Sequence, residues 1–118
     1  MTKHLEIGNK GEQLAALWLQ ENGYKIIERN WRYRHLEIDI IATYNRTLHF
    51  IEVKTRTSNT YGGPELSVNW KKIARLRRAV THYLQIKSSY PWIQLDVIAI
   101  TISNSSPPLI ELFEDVYG

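Results

Sequence analysis

LEIDIIATYNRTLHFIEVKTR, residues 36–56, reads as two strands joined by a tight turn. Residues 36–43 and 47–55 are rich in β-branched and aromatic side chains, and Tyr44-Asn45-Arg46-Thr47 suits a two-residue hairpin loop. With Asn45 and Arg46 as the central turn residues, Tyr44 faces Thr47, and paired residue numbers sum to a constant. That register sets Asp39 opposite Glu52 and Glu37 opposite Lys54. Alternation puts Glu37, Asp39 and Ile41 on one face of the first strand, and Leu48, Phe50, Glu52 and Lys54 on one face of the second. Two carboxylates with Cβ atoms ~5 Å apart repel by ~3 kcal/mol at an effective dielectric of ~20. Three remedies exist: one acid keeps its proton, Lys54 offsets the pair, or a divalent cation bridges the oxygens.

Outward from the hairpin, residues 7–22 carry Ile7, Gly11, Leu14, Ala15, Trp18 and Leu19 at helical spacing, and Asn22-Gly23 is a stop signal. Residues 24–31 read as a strand. Residues 56–66, with Gly62-Gly63-Pro64 at their centre, read as a loop. A second helix is expected over 68–86, with Ile73, Leu76, Val80, Tyr83 and Leu84 as its apolar stripe. Residues 92–101 read as a further strand, SNSSPP as a turn and LIELFE as a short last strand. The order αβββαβ(β) implies an α/β chain with one mixed sheet and helices packed on it. The expected organisation is one domain over 1–118, with a core at about 7–102 and a terminal turn and strand at 103–118.

The chain has 118 residues, 43% hydrophobic and 23% charged, which excludes a disordered chain. It has no cysteine, which excludes disulfides and thiolate metal sites. The first residues hold no apolar run of signal-peptide length, and no run approaches the ~20 residues of a membrane span, so the cytoplasm is the expected location. Of the 12 acids, Glu111, Glu114 and Asp115 lie in the last eight residues, leaving the rest of the chain basic. Bases cluster at Lys25, Arg29, Arg32, Arg34 and His35, and again at Lys71, Lys72, Arg75, Arg77 and Arg78. Lys71, Arg75, Arg78 and His82 share one helical face. The charge fits a polyanionic partner or a plain solvated surface. Trp31, Tyr33, Tyr61 and Trp70 lie near these bases, where they could stack on nucleotides or belong to the core. Glu12 falls at the edge of the first helix's apolar arc. The four histidines show no ligand spacing, and His49 falls on the face opposite Glu52.

Asp39, twelve intervening residues and Glu52-Val53-Lys54 resemble the PD-(D/E)xK nuclease signature. More closely, the chain resembles the YraN-type family of small bacterial endonuclease candidates, related to archaeal Holliday-junction resolvases. The matching pieces are Gly8, Gly11-Glu12, Gly23-Tyr24, Arg29-Asn30-Trp31-Arg32, residues 37–42 and 50–56, Lys72, Ala79, Tyr83-Leu84 and Asp96-Val97. Leu36 stands where that family usually has Gly, and Gln94 where Arg is common.

The resemblance implies a restriction-endonuclease-like αβββαβ core whose hairpin carries the active site. It implies Mg²⁺ or Mn²⁺ held by Asp39, Glu52 and the Val53 carbonyl, with Glu12 joining through a water or a second metal. Lys54 would orient the attacking water or stabilise the phosphorane, and Glu37 would hold Lys54. Arg29, Arg32, Arg34, Arg56, Lys71, Lys72, Arg75 and Arg78 would grip DNA, branched or single-stranded. A homodimer, a non-cutting binding module and a partner-dependent subunit are the other arrangements the residues allow.

Overall fold

The computed structural model describes residues 3–57, 70–87 and 90–116, without the side chains of 3–5, 7 and 70. The elements are α1 (Lys3–Glu21), β1 (Lys25–Tyr33), β2 (Leu36–Tyr44), β3 (Thr47–Thr57), α2 (Trp70–Ile86), β4 (Trp92–Ile102) and β5 (Leu109–Phe113). The sheet order is β1-β2-β3-β4-β5. β1, β2 and β3 run antiparallel in turn, β3 and β4 are parallel, and β5 returns antiparallel to β4. A parallel neighbour needs a crossover, and α2 lies within it. This is the mixed α/β sheet the hydrophobic pattern predicts. No helix among the described residues is long and apolar enough to cross a membrane.

The helices sit on opposite faces. α1 packs Ala15, Ala16 and Leu19 against Ile40, Ala42, Ile51, Ile98 and Ile100. α2 packs Leu76, Ala79, Val80 and Tyr83 against Leu36, Ile38, Ile41, Leu48 and Phe50. β2 and β3 are thus covered on both sides, which explains their nearly continuous apolar runs.

The sequence stop signal for α1 works as a Schellman cap. Gly23 has φ 91°, and the Tyr24 N–H reaches the Leu19 carbonyl at 2.9 Å while the Gly23 N–H reaches Gln20 at 3.1 Å. In the hairpin loop Asn45 and Arg46 take φ 55° and 67°, the paired left-handed values of a type I′ turn. The expected register follows, from Tyr44↔Thr47 to Ile40↔Ile51.

Some boundaries differ. α1 starts at Lys3, four residues before its apolar pattern begins, and β1 continues to Tyr33. Arg56 and Thr57, read from sequence as loop, belong to β3, because β4 pairs alongside them as far as Thr57↔Ile102. The remainder of the expected loop, 58–66, and the first two residues expected for α2 lie outside the described residues, and Tyr61 with them.

Under α1 lies a buried polar knot. His49 Nδ1 meets Asp96 Oδ2 at 2.7 Å, with side-chain exposures of 4% and 0%. Asp96 Oδ1 also accepts the Gln94 amide at 2.9 Å and the Asp115 N–H at 2.8 Å, which ties the end of the chain to β4. His49 therefore belongs to the packing of the face opposite Glu52.

Candidate active site

The hairpin register predicts Asp39 directly opposite Glu52. Instead, the ladder's last pair is Ile40↔Ile51, and the Asp39 carboxylate turns to accept the Val53 N–H at 2.8 Å. The physical reason lies in β2 itself. Ile38 and Ile41 both pack in the α2 layer, while Ile40 packs in the α1 layer. Strict alternation cannot satisfy all three, so the strand departs from its pleat around Asp39. The strands part there, and a side chain takes over a backbone hydrogen bond.

The parting opens a cleft of about 290 Å³, lined by Glu37, Asp39, Glu52, Val53, Lys72 and Arg75 together with His35, Leu36 and Leu76. Glu52 stays on the α2 face, where the Lys72 ammonium stands 4.0 Å from its Oε1. Glu37 does not hold Lys54. It pairs across to β1, with Arg32 Nη2 at 3.6 Å from its Oε1, since Arg32 and Glu37 are register partners. Lys54 lies two residues beyond Glu52 on the same side of β3 and is half-buried. It makes no ion pair with a described residue.

Glu12 arrives from α1. At Gly11 the helix lies directly on Thr55, since a Cβ there would collide with the threonine Oγ1. That contact fixes the depth of the middle of α1 over β3, next to Glu12. Its pKa is raised, first by burial and then by Glu37, while Arg29, an Asn30 hydrogen bond and Arg32 oppose the rise. Asp39 is pushed up to about 6, first by burial; the Val53 N–H opposes this, and Glu12, Glu37 and Glu52 add to it. Three acids from three elements, Glu12 of α1, Glu37 of β2 and Glu52 of β3, therefore converge on Asp39.

Among the described residues no group of three His, Asp or Glu side chains is already gathered at metal-binding distances. The acidic donors that line the cleft, the Asp39 and Glu52 carboxylates, are hard oxygens, which fits Mg²⁺ or Mn²⁺ and not a soft metal. Of the expected nucleic-acid contacts, Lys72 and Arg75 line the cleft. Arg29 and Arg32 act on Glu12 from β1. Arg34, in the β1–β2 turn with φ 58°, lies 5.4 Å over the Tyr33 ring. Lys71 and Arg78 are exposed on α2 outside the cleft, and Arg56 is half-buried further along β3. Trp31 and Tyr33 belong to the α2-side packing, and Tyr33 stacks on His82 at 4.4 Å.

Sequence reading placed His35 in a basic cluster and Asn30 in a family match but gave neither a place at the site. Asn30 takes φ 54° within β1. Its signal was available: asparagine is depleted in strand interiors and tolerates left-handed backbone, so an Asn within a strand marks an irregularity.

Acids, a lysine and a basic helix edge around one cleft of a mixed sheet are compatible with an α+β nuclease-like core. The chain belongs to the family described as Uncharacterised protein family UPF0102, which matches residues 11–100 and is the YraN-type group its motifs resemble. A UPF0102 protein of Syntrophus aciditrophicus is 43% identical over 119 residues, covering 99% of this chain and 92% of the relative. Another from Rhodococcus opacus is 41% identical, covering 99% and 100%. A third, from Christiangramia forsetii, is 40% identical over 117 residues, covering 99% and 98%.

Proposed function

We propose that the chain is a metal-dependent endonuclease that hydrolyses phosphodiester bonds in DNA, acting on branched or single-stranded forms. The observation that carries this reading is a cleft lined by Asp39 and Glu52 together with Lys72 and Arg75. Carboxylates alone would repel a phosphate, and bases alone would merely bind it. Both lining one cleft can hold a phosphate and act on it.

Asp39 and Glu52 would hold Mg²⁺ or Mn²⁺, with the Val53 carbonyl as a backbone donor and Glu12 reached through a water. The ion would supply charge neutralisation at the scissile phosphate and acidify a water. The protein's own residues do the rest. Lys72 and Arg75 bind the phosphate oxygens from α2. Lys54 presents its ammonium from the Glu52 side of β3, to orient the attacking water and stabilise charge as the P–O bond breaks. The expected setting is the cytoplasm, and a junction with two symmetric strands to cut would engage two copies.

A non-cutting nucleic-acid-binding module is favoured by one observation, the lack of a gathered three-ligand cluster among the described residues. One experiment separates the readings. Purified protein and its Asp39→Ala variant are offered four-way junction, flap, single-stranded and duplex DNA in Mg²⁺, Mn²⁺ or EDTA. Metal-dependent cutting lost in the variant is the expected result. Binding in EDTA with no cutting in either metal would leave the module reading.

A further inference from the structure

Glu37, the residue expected to hold Lys54, is taken by Arg32 at 3.6 Å. Glu52, two residues before Lys54 on the same face of β3, has the Lys72 ammonium at 4.0 Å. Lys54 itself is half-buried and makes no ion pair with a described residue. A lysine that presents its charge to one atom needs an anchor, because its flexible stem otherwise spreads the ammonium over many rotamers.

The sheet supplies one two strands away. Val53, Ile98, Ile100, Ile110 and Leu112 all pack in the α1 layer. Alternation therefore turns Lys54 of β3, Ala99 of β4 and Glu111 of β5 to the other face, which is the face of Glu52. The three are also in register, since Lys54 is the partner of Ala99 and Ala99 the partner of Glu111. They form one row across the sheet, with Lys54 and Glu111 two strand spacings, or roughly 10 Å, apart at the backbone. A lysine and a glutamate extended toward each other cover that span, and Ala99 puts only a methyl between them. Glu111 has no other use for its charge among the described residues. It is half-buried, its Oε1 is shut off from solvent, and no described residue donates to that oxygen. β5 is the last strand of the sheet, so no strand lies on its outer side. Residues 58–69 contain no lysine, arginine or histidine. Arg56, the next cation along this face of β3, stands in the row of Thr101 and Leu109 instead. A carboxylate oxygen taken out of water without a donor is costly, and a cation in its own row offsets that cost.

We infer that Glu111 is the positioning residue for Lys54: across the gap at Ala99 its carboxylate holds the Lys54 ammonium on the face of β3 that carries Glu52. The consequence for cleavage rests on the endonuclease reading, while the contact between Lys54 and Glu111 does not.

Glu111→Gln is the informative substitution, because it keeps the size of the side chain and removes its charge. The first measurement needs no cleavage. The ε-methylene carbon and proton resonances of Lys54 are recorded in the wild type and in Glu111→Gln, and the Glu111 carboxyl carbon in the wild type and in Lys54→Met. Both sets must shift. Resonances that stay in place, or a shift at the Arg56 Nε–H with Lys54 unmoved, overturn the inference. The second measurement is kcat and KM for cleavage in Glu111→Gln, Glu111→Asp, Lys54→Met and the double variant of Glu111→Gln with Lys54→Met. Glu111→Gln is expected to lower kcat by about tenfold with KM unchanged, Glu111→Asp to recover part of the loss, and Glu111→Gln to add nothing in the Lys54→Met background. A wild-type kcat in Glu111→Gln, or losses that multiply in the double variant, would also overturn it. Should no metal support cleavage, the endonuclease reading fails and the resonances still decide whether Glu111 holds Lys54.

Discussion

Replacing Asp39 by Asn should make the metal-free protein more stable while disabling it. Folding raises the Asp39 pKa from an ordinary 3.8 to about 6. The folded chain therefore holds this proton more tightly than the unfolded chain does. Below the unfolded pKa both states are protonated and the group contributes nothing. As pH rises toward about 6 the unfolded state releases its proton first, and stability falls; above that the penalty is complete. A shift of about two units corresponds to ~3 kcal/mol, as an upper bound. Residual solvent access to the cleft and the weaker neutral hydrogen bond to Val53 reduce the net gain to ~1–2 kcal/mol, or roughly 5–10 °C in melting temperature. The assay is urea denaturation of wild type and Asp39→Asn at about pH 3 and about pH 8, in EDTA and in Mg²⁺. The variant should be the more stable at the higher pH in EDTA, equal to wild type at the lower, and unresponsive to Mg²⁺. A stability difference that ignores pH, or a variant less stable at the higher pH in EDTA, would refute the reasoning, because Asp39 would then be balanced in the metal-free protein.

Two further substitutions probe what places the site. Gly11→Ala drives a methyl into Thr55 and must lift the middle of α1 off β3; a loss of ~1–3 kcal/mol is expected, with cleavage falling further than melting temperature because Glu12 moves with the helix. Asp96→Ala leaves the buried His49 ring unpaired and releases the Asp115 N–H; a loss of ~3–5 kcal/mol is expected, with faster hydrogen exchange at Asp115 and Val116 while the α2 layer keeps its protection.

The hairpin was legible because two local rules agree on it. Asn45 tolerates the left-handed backbone a type I′ turn needs, and a two-residue loop of Asn45 and Arg46 sets Tyr44 against Thr47, from which the pairing as far as Ile40↔Ile51 follows. The helix stop at Asn22-Gly23 was legible for the same reason, since glycine at that place is a local requirement. The break at Asp39 is a different matter. Ile38, Ile40 and Ile41 are all buried, and in a strand covered on both sides a run of isoleucines says nothing about which face each takes. The choice is made by α1 and α2, far away in sequence. Asn30 and the Arg32–Glu37 pair follow from that choice, so a reading that extended the hairpin register past Ile40 had to assign Glu37 to Lys54.

The charge pattern around the cleft explains why Asp39, and not another of its acids, is the sensitive one. Glu37 has Arg32 at 3.6 Å, and Glu52 has Lys72 at 4.0 Å. Glu12 has Arg29, Arg32 and the Asn30 amide drawing against its burial. Asp39 has burial and three carboxylates raising its pKa, with the Val53 N–H alone opposing them; no cationic side chain among the described residues offsets its charge there. A hydrophobic residue would fill that place at less cost, and the chain instead keeps an acid where the strands part. One neutral donor cannot offset three negative neighbours, whereas a divalent cation shared with Glu52 would. The same imbalance that makes Asp39→Asn stabilising would give the cleft an affinity for a cation, so the stability gain and the loss of metal response should appear together in one variant.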